Sequence, residues 1–305
     1  MITNNLRIGT RDSKLAVWQA ETVQRLLKNA GINSELVMVK SPADIDLITP
    51  LHQFGGVGIF TKILDDALFK NEIDIAVHSL KDYPTQSPEG LTIAAVLERG
   101  PSQDILVHKG DLSFLNTKKE GLIATGSIRR IAQWKSKFPK HKTTNLRGNV
   151  QTRLQKLADN NWNGAIFAKA GLERIDLLPE HFEVLDWMIP APAQGTIGIG
   201  CRNEDQEIVD VLKSINHGET EIRATVERQF LRTVEGGCSA PVGAFSTIEG
   251  DKIHLTAGVF ELDGSNKVVV NKTFKMEDYK NAGQLAAKEV LANGGKEIMQ
   301  NIDHA

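Results

Sequence analysis

Hydrophobic positions along this chain keep two different periods. After a short apolar run at Leu6–Gly9, residues Ala16, Ala20, Val23, Leu27 and Ala30 recur at helical spacing as far as Gly31, with Ser13 placed to cap the helix. A strand is expected over Glu35–Val39, then a polar loop at Ser41–Pro50 and a glycine-rich turn at Gly55–Gly58. A helix over about Thr61–Asn71 follows, with Ile63, Leu64, Ala67 and Leu68 as its apolar stripe, and then a strand at Ile73–Val77. The alternation returns with strands at Asp104–Val107, Leu122–Thr125, Thr144–Leu146 and Ala165–Ala168 and helices near Ser127–Phe138 and Val150–Asn160. Strand-helix alternation of this kind predicts an α/β fold with mostly parallel sheets, built twice, and sites at the carboxyl ends of the strands.

The pattern changes toward the C-terminus. A helix over about Glu221–Val234 precedes alternating strands at Lys252–Glu261 and Lys267–Lys275, joined by the turn Asp263-Gly-Ser-Asn266, and a helix over about Asn281–Leu291 closes the unit. This predicts a small α+β domain over residues 217–305. Pro190-Ala-Pro-Ala-Gln-Gly195 has turn composition and is expected to cross between lobes. No strong internal repeat is visible.

Composition narrows the classes. With 305 residues, 41% hydrophobic and 24% charged, the chain can bury real cores and is long enough for two or three domains. A net charge of −2 gives no global field for nucleic acid or an anionic membrane, so any anion site must be local. No apolar run reaches the roughly 18 residues of a membrane span, and Met1–Lys14 is polar without a signal core, so a soluble, cytoplasmic protein is expected. Two cysteines, Cys201 and Cys238, make a disulfide scaffold unlikely and rule out a four-thiolate metal site. The eight histidines lack metal-ligand spacing and Gly55-Gly-Val-Gly58 lacks the ending of a phosphate loop, so no metal or nucleotide is expected.

Three clusters carry candidate chemistry. In Ile73-Asp-Ile-Ala-Val-His-Ser-Leu-Lys-Asp-Tyr-Pro84 a buried-looking strand breaks into His78, Ser79, Lys81 and Asp82, where an acid beside a lysine can be kept ionised and aimed into a cleft; the same residues also suit a solvated turn. Arg129 and Arg130 lie in the first turn of the helix that opens at Thr125-Gly126-Ser127, where backbone N–H groups and the helix dipole favour an anion. Arg147 and Arg153 follow, and Arg11 and Arg174 also stand just after predicted strands, so several arginines point to a ligand with several carboxylates or phosphates rather than to solvated faces alone. Glu235-Gly-Gly-Cys-Ser-Ala-Pro241 leaves the thiol of Cys238 on a flexible loop, either inert or able to hold a covalent group, whereas Cys201 follows the apolar run Thr196–Gly200 and reads as packing.

Taken in order, Arg7–Ala16, His78–Asp82, Ser127–Arg130, Asn145–Asn149 and Glu235–Cys238 closely resemble the porphobilinogen deaminase (hydroxymethylbilane synthase) family over nearly the whole chain. The resemblance implies two lobes like periplasmic binding proteins, at residues 1–98 with 196–214 and 102–190, and a cysteine-bearing C-terminal domain, with hinges near Arg99–Pro101 and Pro190–Gly195. It implies an enzyme, expected as a monomer, that joins four molecules of porphobilinogen head to tail with loss of ammonia. Growth would start from a dipyrromethane primer held as a thioether, here on Cys238. Asp82 would be the catalytic carboxylate. Lys81, Thr125, Ser127, Arg129 and Arg130 would hold the primer, Arg11, Ser13, Gln19 and Arg174 the incoming ring, and Arg147 and Arg153 would serve both. Every ring carries an acetate and a propionate, which accounts for arginines in an otherwise slightly acidic chain.

The chain departs from the family at Val57, where a basic residue is usual, at Ser41-Pro-Ala-Asp44 in place of a Lys/Arg-Gly-Asp turn, and at Ala124 and Gly126 in place of glycine and serine. Two other readings compete: an anion-binding protein of the two-lobed type, needing neither Asp82 nor Cys238, and a phosphoryl-group enzyme, for which no phosphate loop or metal carboxylates are found.

Overall fold

The computed structural model describes residues 5–39, 59–116, 118–234 and 240–303, so Ser41–Asp44, the Gly55–Gly58 turn with Val57, and Cys238 lie outside the described residues. The chain divides into two compact units, Met1–Gly100 with Gly195–Ile222 and Pro101–Gln194 with Arg223–Ala305.

The first unit holds β1 (Leu6–Thr10), α1 (Lys14–Asn29), β2 (Ser34–Met38), α2 (Ile59–Phe69), β3 (Ile75–Ser79), β4 (Leu91–Val96), β10 (Ile197–Arg202) and α6 (Gln206–Lys213). Its sheet runs β2-β1-β3-β10-β4, with β1 parallel to β2 and β3, and β10 antiparallel to both β3 and β4. Four strands therefore share one direction and β10 alone is reversed. Ser13 caps α1 by accepting from the Ala16 N–H at 3.3 Å, and the helix turns Ala20, Val23 and Leu27 onto Ile8, Ile75, Val77, Ile197 and Ile199. Cys201 is buried in the same core, and burial pushes its thiol up to about 11, as suits packing rather than reaction.

The second unit holds β5 (Asp104–His108), β6 (Leu122–Ala124), α3 (Ile128–Lys137), β7 (Lys142–Thr144), α4 (Val150–Asp159), β8 (Gly164–Ala168), α5 (Lys169–Glu173) and β9 (Phe182–Val184). Its sheet order is β7-β6-β8-β5-β9; β6 is parallel to β7 and β8, and β5 is antiparallel to β8 and β9. The arrangement of the first sheet recurs, one reversed strand beside a parallel trio, although no sequence repeat announces it. In both sheets the reversed strand is the first one laid down after the chain crosses from the other unit.

Helix α7 (Gly218–Thr233) leads to the antiparallel sheet β11 (Val242–Glu249), β12 (Lys252–Phe260) and β13 (Lys267–Lys275), followed by α8 (Tyr279–Val290) and α9 (Lys296–Asp303). The hairpin turn between β12 and β13 approaches α3 so closely that a Cβ on Gly264, at φ +80°, would fall 2.3 Å from the Ser136 nitrogen.

Several expected elements shift or were not foreseen. The strand expected at Thr144–Leu146 is the polar β7, two residues earlier, and Leu146 turns into the core from the following loop. Strands β4, β9, β10 and β11 were not foreseen. Gly198 and Gly200 make β10 a poor strand by propensity, and it is pairing with β3 on one side and β4 on the other that holds it in the sheet.

Candidate active site

Parallel pairing of β1 with β3, in the register Ile8 to Ile75 and Gly9 to Ala76, sends both strands out at one edge of the first sheet. Arg11 leaves that edge from β1. From β3 the chain enters a single 3-10 turn, Leu80–Asp82, gripped on both sides: the Leu80 N–H donates to the Thr196 carbonyl at 3.0 Å, and the Tyr83 N–H donates to the Leu80 carbonyl at 3.3 Å. Leu80 and Tyr83 are buried, which leaves Lys81 half-buried and Asp82 exposed. The anchored backbone fixes where Asp82 leaves the strand edge, which is the part of electrostatic preorganisation that the turn itself supplies.

Gln19 and Ser13 stand on α1 beside this edge. Gln19 is buried and spends its amide on Ser79, with Nε2 donating to Oγ at 2.9 Å and the hydroxyl donating to Oε1 at 3.3 Å. Its contact is with the end of β3, and Ser13 is engaged as the helix cap. Behind the turn sits His78, a group the motif contains but to which the sequence assigns no function. Its ring packs 4.7 Å from that of Tyr83 at 48°, burial pushes its pKa down to about 3, and Nε2 has no partner among the described residues. It is therefore a neutral imidazole, adding no second positive charge near Asp82.

In the second unit β6, β7 and β8 also leave the sheet at one edge. Thr125 is fully buried and accepts from the Ser127 N–H at 3.3 Å, and Ser127 opens α3. Gly126 is fitted to this turn, since a Cβ there would come within 2.7 Å of the Leu146 carbonyl oxygen. Arg147 follows β7, and its carbonyl accepts from Lys156 Nζ at 3.1 Å. Arg153 lies in the first turns of α4, which Asn149 caps by accepting from the Thr152 N–H, and Arg153 Nε donates to the Gly148 carbonyl at 2.7 Å. Arg174 stands past α5 rather than directly at a strand end, because the chain after β8 takes an extra helical turn; burial lowers its pKa to about 10, with Glu173 opposing the shift, so it stays charged at neutral pH.

Arg129 and Arg130 depart most from expectation. Both are buried and meet an internal anion, Asp104: Arg129 Nη1 donates to Oδ2 at 2.7 Å, and Arg130 donates to Oδ1 from Nε at 3.1 Å and from Nη2 at 2.8 Å. Arg129 Nη1 also donates to the Ile189 carbonyl, and Arg130 Nη1 to that of Ile166. Burial alone would raise the Asp104 carboxyl, but the two guanidinium groups overcome it and hold the acid far below the usual carboxylate range. Two buried cations against one buried carboxylate leave one positive charge in excess at the N-terminus of α3, where the helix dipole adds to it. That donor set suits a group carrying carboxylates.

Residues 6–210 match the family described as porphobilinogen deaminase, dipyromethane cofactor binding domain, and residues 221–292 match the porphobilinogen deaminase C-terminal domain. The chain belongs to the porphobilinogen deaminase family. Relatives named porphobilinogen deaminase include that of Campylobacter hominis, 39% identical over 98% of this chain and 99% of that protein, and that of Geobacter sulfurreducens, 38% identical over 99% and 96%. Among solved structures, an ancestral cationic amino acid solute binding protein resembles the chain at 18% identity with a TM-score of 0.44, covering 69% of this chain and 87% of that one. Membership in the family makes the chain an enzyme, a hydroxymethylbilane synthase with dipyrromethane as its cofactor. Among the described residues no helix is long and apolar enough to cross a membrane, and no group of three or more His, Cys, Asp or Glu could hold a metal.

Proposed function

We propose that Asp82 is the catalytic carboxylate of the condensation of four porphobilinogen molecules and that Cys238 carries the primer as a thioether. Dipyrromethane, when bound, supplies the open pyrrole carbon from which the chain is extended. Asp82 stabilises the positive charge that spreads onto the substrate's pyrrole nitrogen as ammonia leaves, and it helps take up the α-hydrogen proton when the new ring junction regains aromaticity. Arg11, Ser13, Gln19 and Arg174 bind and orient the incoming ring, with Gln19 acting by fixing Ser79. Lys81, Thr125, Ser127 and Arg129 hold the primer's carboxylates, Arg147 and Arg153 serve both, and Arg130, with its three nitrogens committed to Asp104 and Ile166, acts by holding its neighbour in place.

The observation that carries this reading is the anchored turn Leu80–Asp82, which presents a lone exposed carboxylate between two buried residues at the strand edge shared with Arg11. We further read the chain as two lobes plus a C-terminal domain from about residue 217, working as a cytoplasmic monomer without nucleic acid. In the test, Asp82→Asn is expected to be purified with the primer's added mass but to form product at least about 100-fold more slowly. Near-normal turnover would remove Asp82 from the mechanism.

A further inference from the structure

We propose that Asp104 is a positioning residue of the primer site: it fixes the arginine pair at the start of α3 and, through Gln194, ties that pair to the crossing segment 190–194. The proposal rests on the reading that this end of α3 holds the primer. Asp104 reaches the site because β5 is reversed. Its pairing places Asp104 opposite Ala168, the last residue of β8, so the first residue of an antiparallel strand lies at the edge where the parallel strands end. In an all-parallel sheet the same residue would stand at the far end.

Four hydrogen bonds converge on this fully buried carboxylate, three from the arginines and one from Gln194 Nε2, which donates to Oδ1 at 2.9 Å and to the Ser102 carbonyl at 2.7 Å. The bonds define what each arginine can do. Arg130 is held through all three nitrogens, whereas Arg129 makes its contacts to Asp104 and Ile189 through Nη1, so these bonds do not consume its Nε and Nη2 edge. A guanidinium pinned at one corner presents its remaining donors in a fixed plane, as bidentate recognition of a carboxylate requires. Without the charge of Asp104, two buried guanidinium groups would face each other uncompensated, and neither would keep its place.

The same network reaches the crossing segment. Ile189 is gripped by Arg129 and by Gln133, which donates to its carbonyl at 3.0 Å and accepts from its N–H at 2.8 Å. Ala193 holds a left-handed φ of +60° while its N–H donates to the buried Glu227 at 2.7 Å, and Gln194 then bonds Asp104. A non-glycine residue stays in that region only where its surroundings over-determine it. Arginine posture and segment conformation are thus set by one carboxylate.

The test compares wild type, Asp104→Asn, Gln194→Met and the surface control Asp210→Asn by intact mass, far-UV circular dichroism and hydrogen exchange over residues 189–194. Asp104→Asn is expected to be folded but to carry the primer's added mass on fewer than one molecule in ten. Gln194→Met removes the amide that donates to Asp104 and to the Ser102 carbonyl but removes no charge, and it is expected to acquire that mass from porphobilinogen at least threefold more slowly, with faster exchange at 189–194. Asp210→Asn should match wild type in every reading. Full loading of folded Asp104→Asn, or wild-type loading and exchange in Gln194→Met, overturns the role of Asp104; should Asp104→Asn not fold, Gln194→Met decides alone. A wild-type protein without added mass overturns the primer reading as well, which separates the two failures.

Discussion

His78 offers a measurement of how strongly the fold grips the end of β3. Its imidazole is 4% exposed and packed on Tyr83, and burial lowers its pKa from the ordinary 6.5 to about 3. The unfolded chain takes up a proton at His78 as the pH drops below 6.5, and the folded chain does not until about 3. Stability is therefore fully present above about pH 6.5 and is lost as the pH falls toward 3, with about 2 kcal/mol gone at pH 5. His78→Phe keeps a ring against Tyr83, removes the titration, and deletes a buried nitrogen that has no partner among the described residues. Urea unfolding of both proteins at pH 7.5 and pH 5.0 isolates the effect, because every other titrating group is common to the two. The wild type should lose about 2 kcal/mol more than His78→Phe between these pH values. Parallel losses would refute the reasoning, as would an NMR titration of the His78 ring near its ordinary pKa.

Two further outcomes follow from named groups. Asp65 on α2 is buried with Oδ1 unpartnered among the described residues, and burial, with a smaller push from Asp66, raises its pKa to about 6. Its folded carboxyl keeps a proton that the unfolded chain has already released, so stability falls as the pH rises from about 4 to about 6; Asp65→Asn should flatten that slope and add about 2 kcal/mol at pH 7.5 in urea unfolding, and an unchanged or lowered stability would contradict this. Cys238→Ala should be isolated without the primer's added mass, and finding that mass on the variant would move the attachment to another residue.

The parts of the fold that could be read from residues are those with an unambiguous local period. Helix α1 shows its apolar spacing and its Ser13 cap, and β13 was foreseen at the residues where it stands. Strand direction was not legible, because an apolar run such as Asp104–Val107 has the same pattern whichever way it runs. That one unknown hid the role of Asp104. It also made Arg129 and Arg130 read as open donors, when their nearest anion comes from a strand 25 and 26 residues upstream. Strand β10 was missed because Gly198 and Gly200 lower its strand propensity, while its pairing with β3 and β4 lies outside any local window. The anchored turn was legible in part: Lys81 and Asp82 stood out as polar residues at a strand end, but the burial of Tyr83 beside them belongs to the tertiary fold.

Intact mass spectrometry of the purified chain, before and after brief exposure to porphobilinogen, tests the central claim most directly. A protein that grows a tetrapyrrole on its own thiol should start with the mass of the primer already attached and then show a ladder of up to four equal increments. A bare polypeptide mass that never changes, or a single reversible adduct with no higher members, would contradict the account.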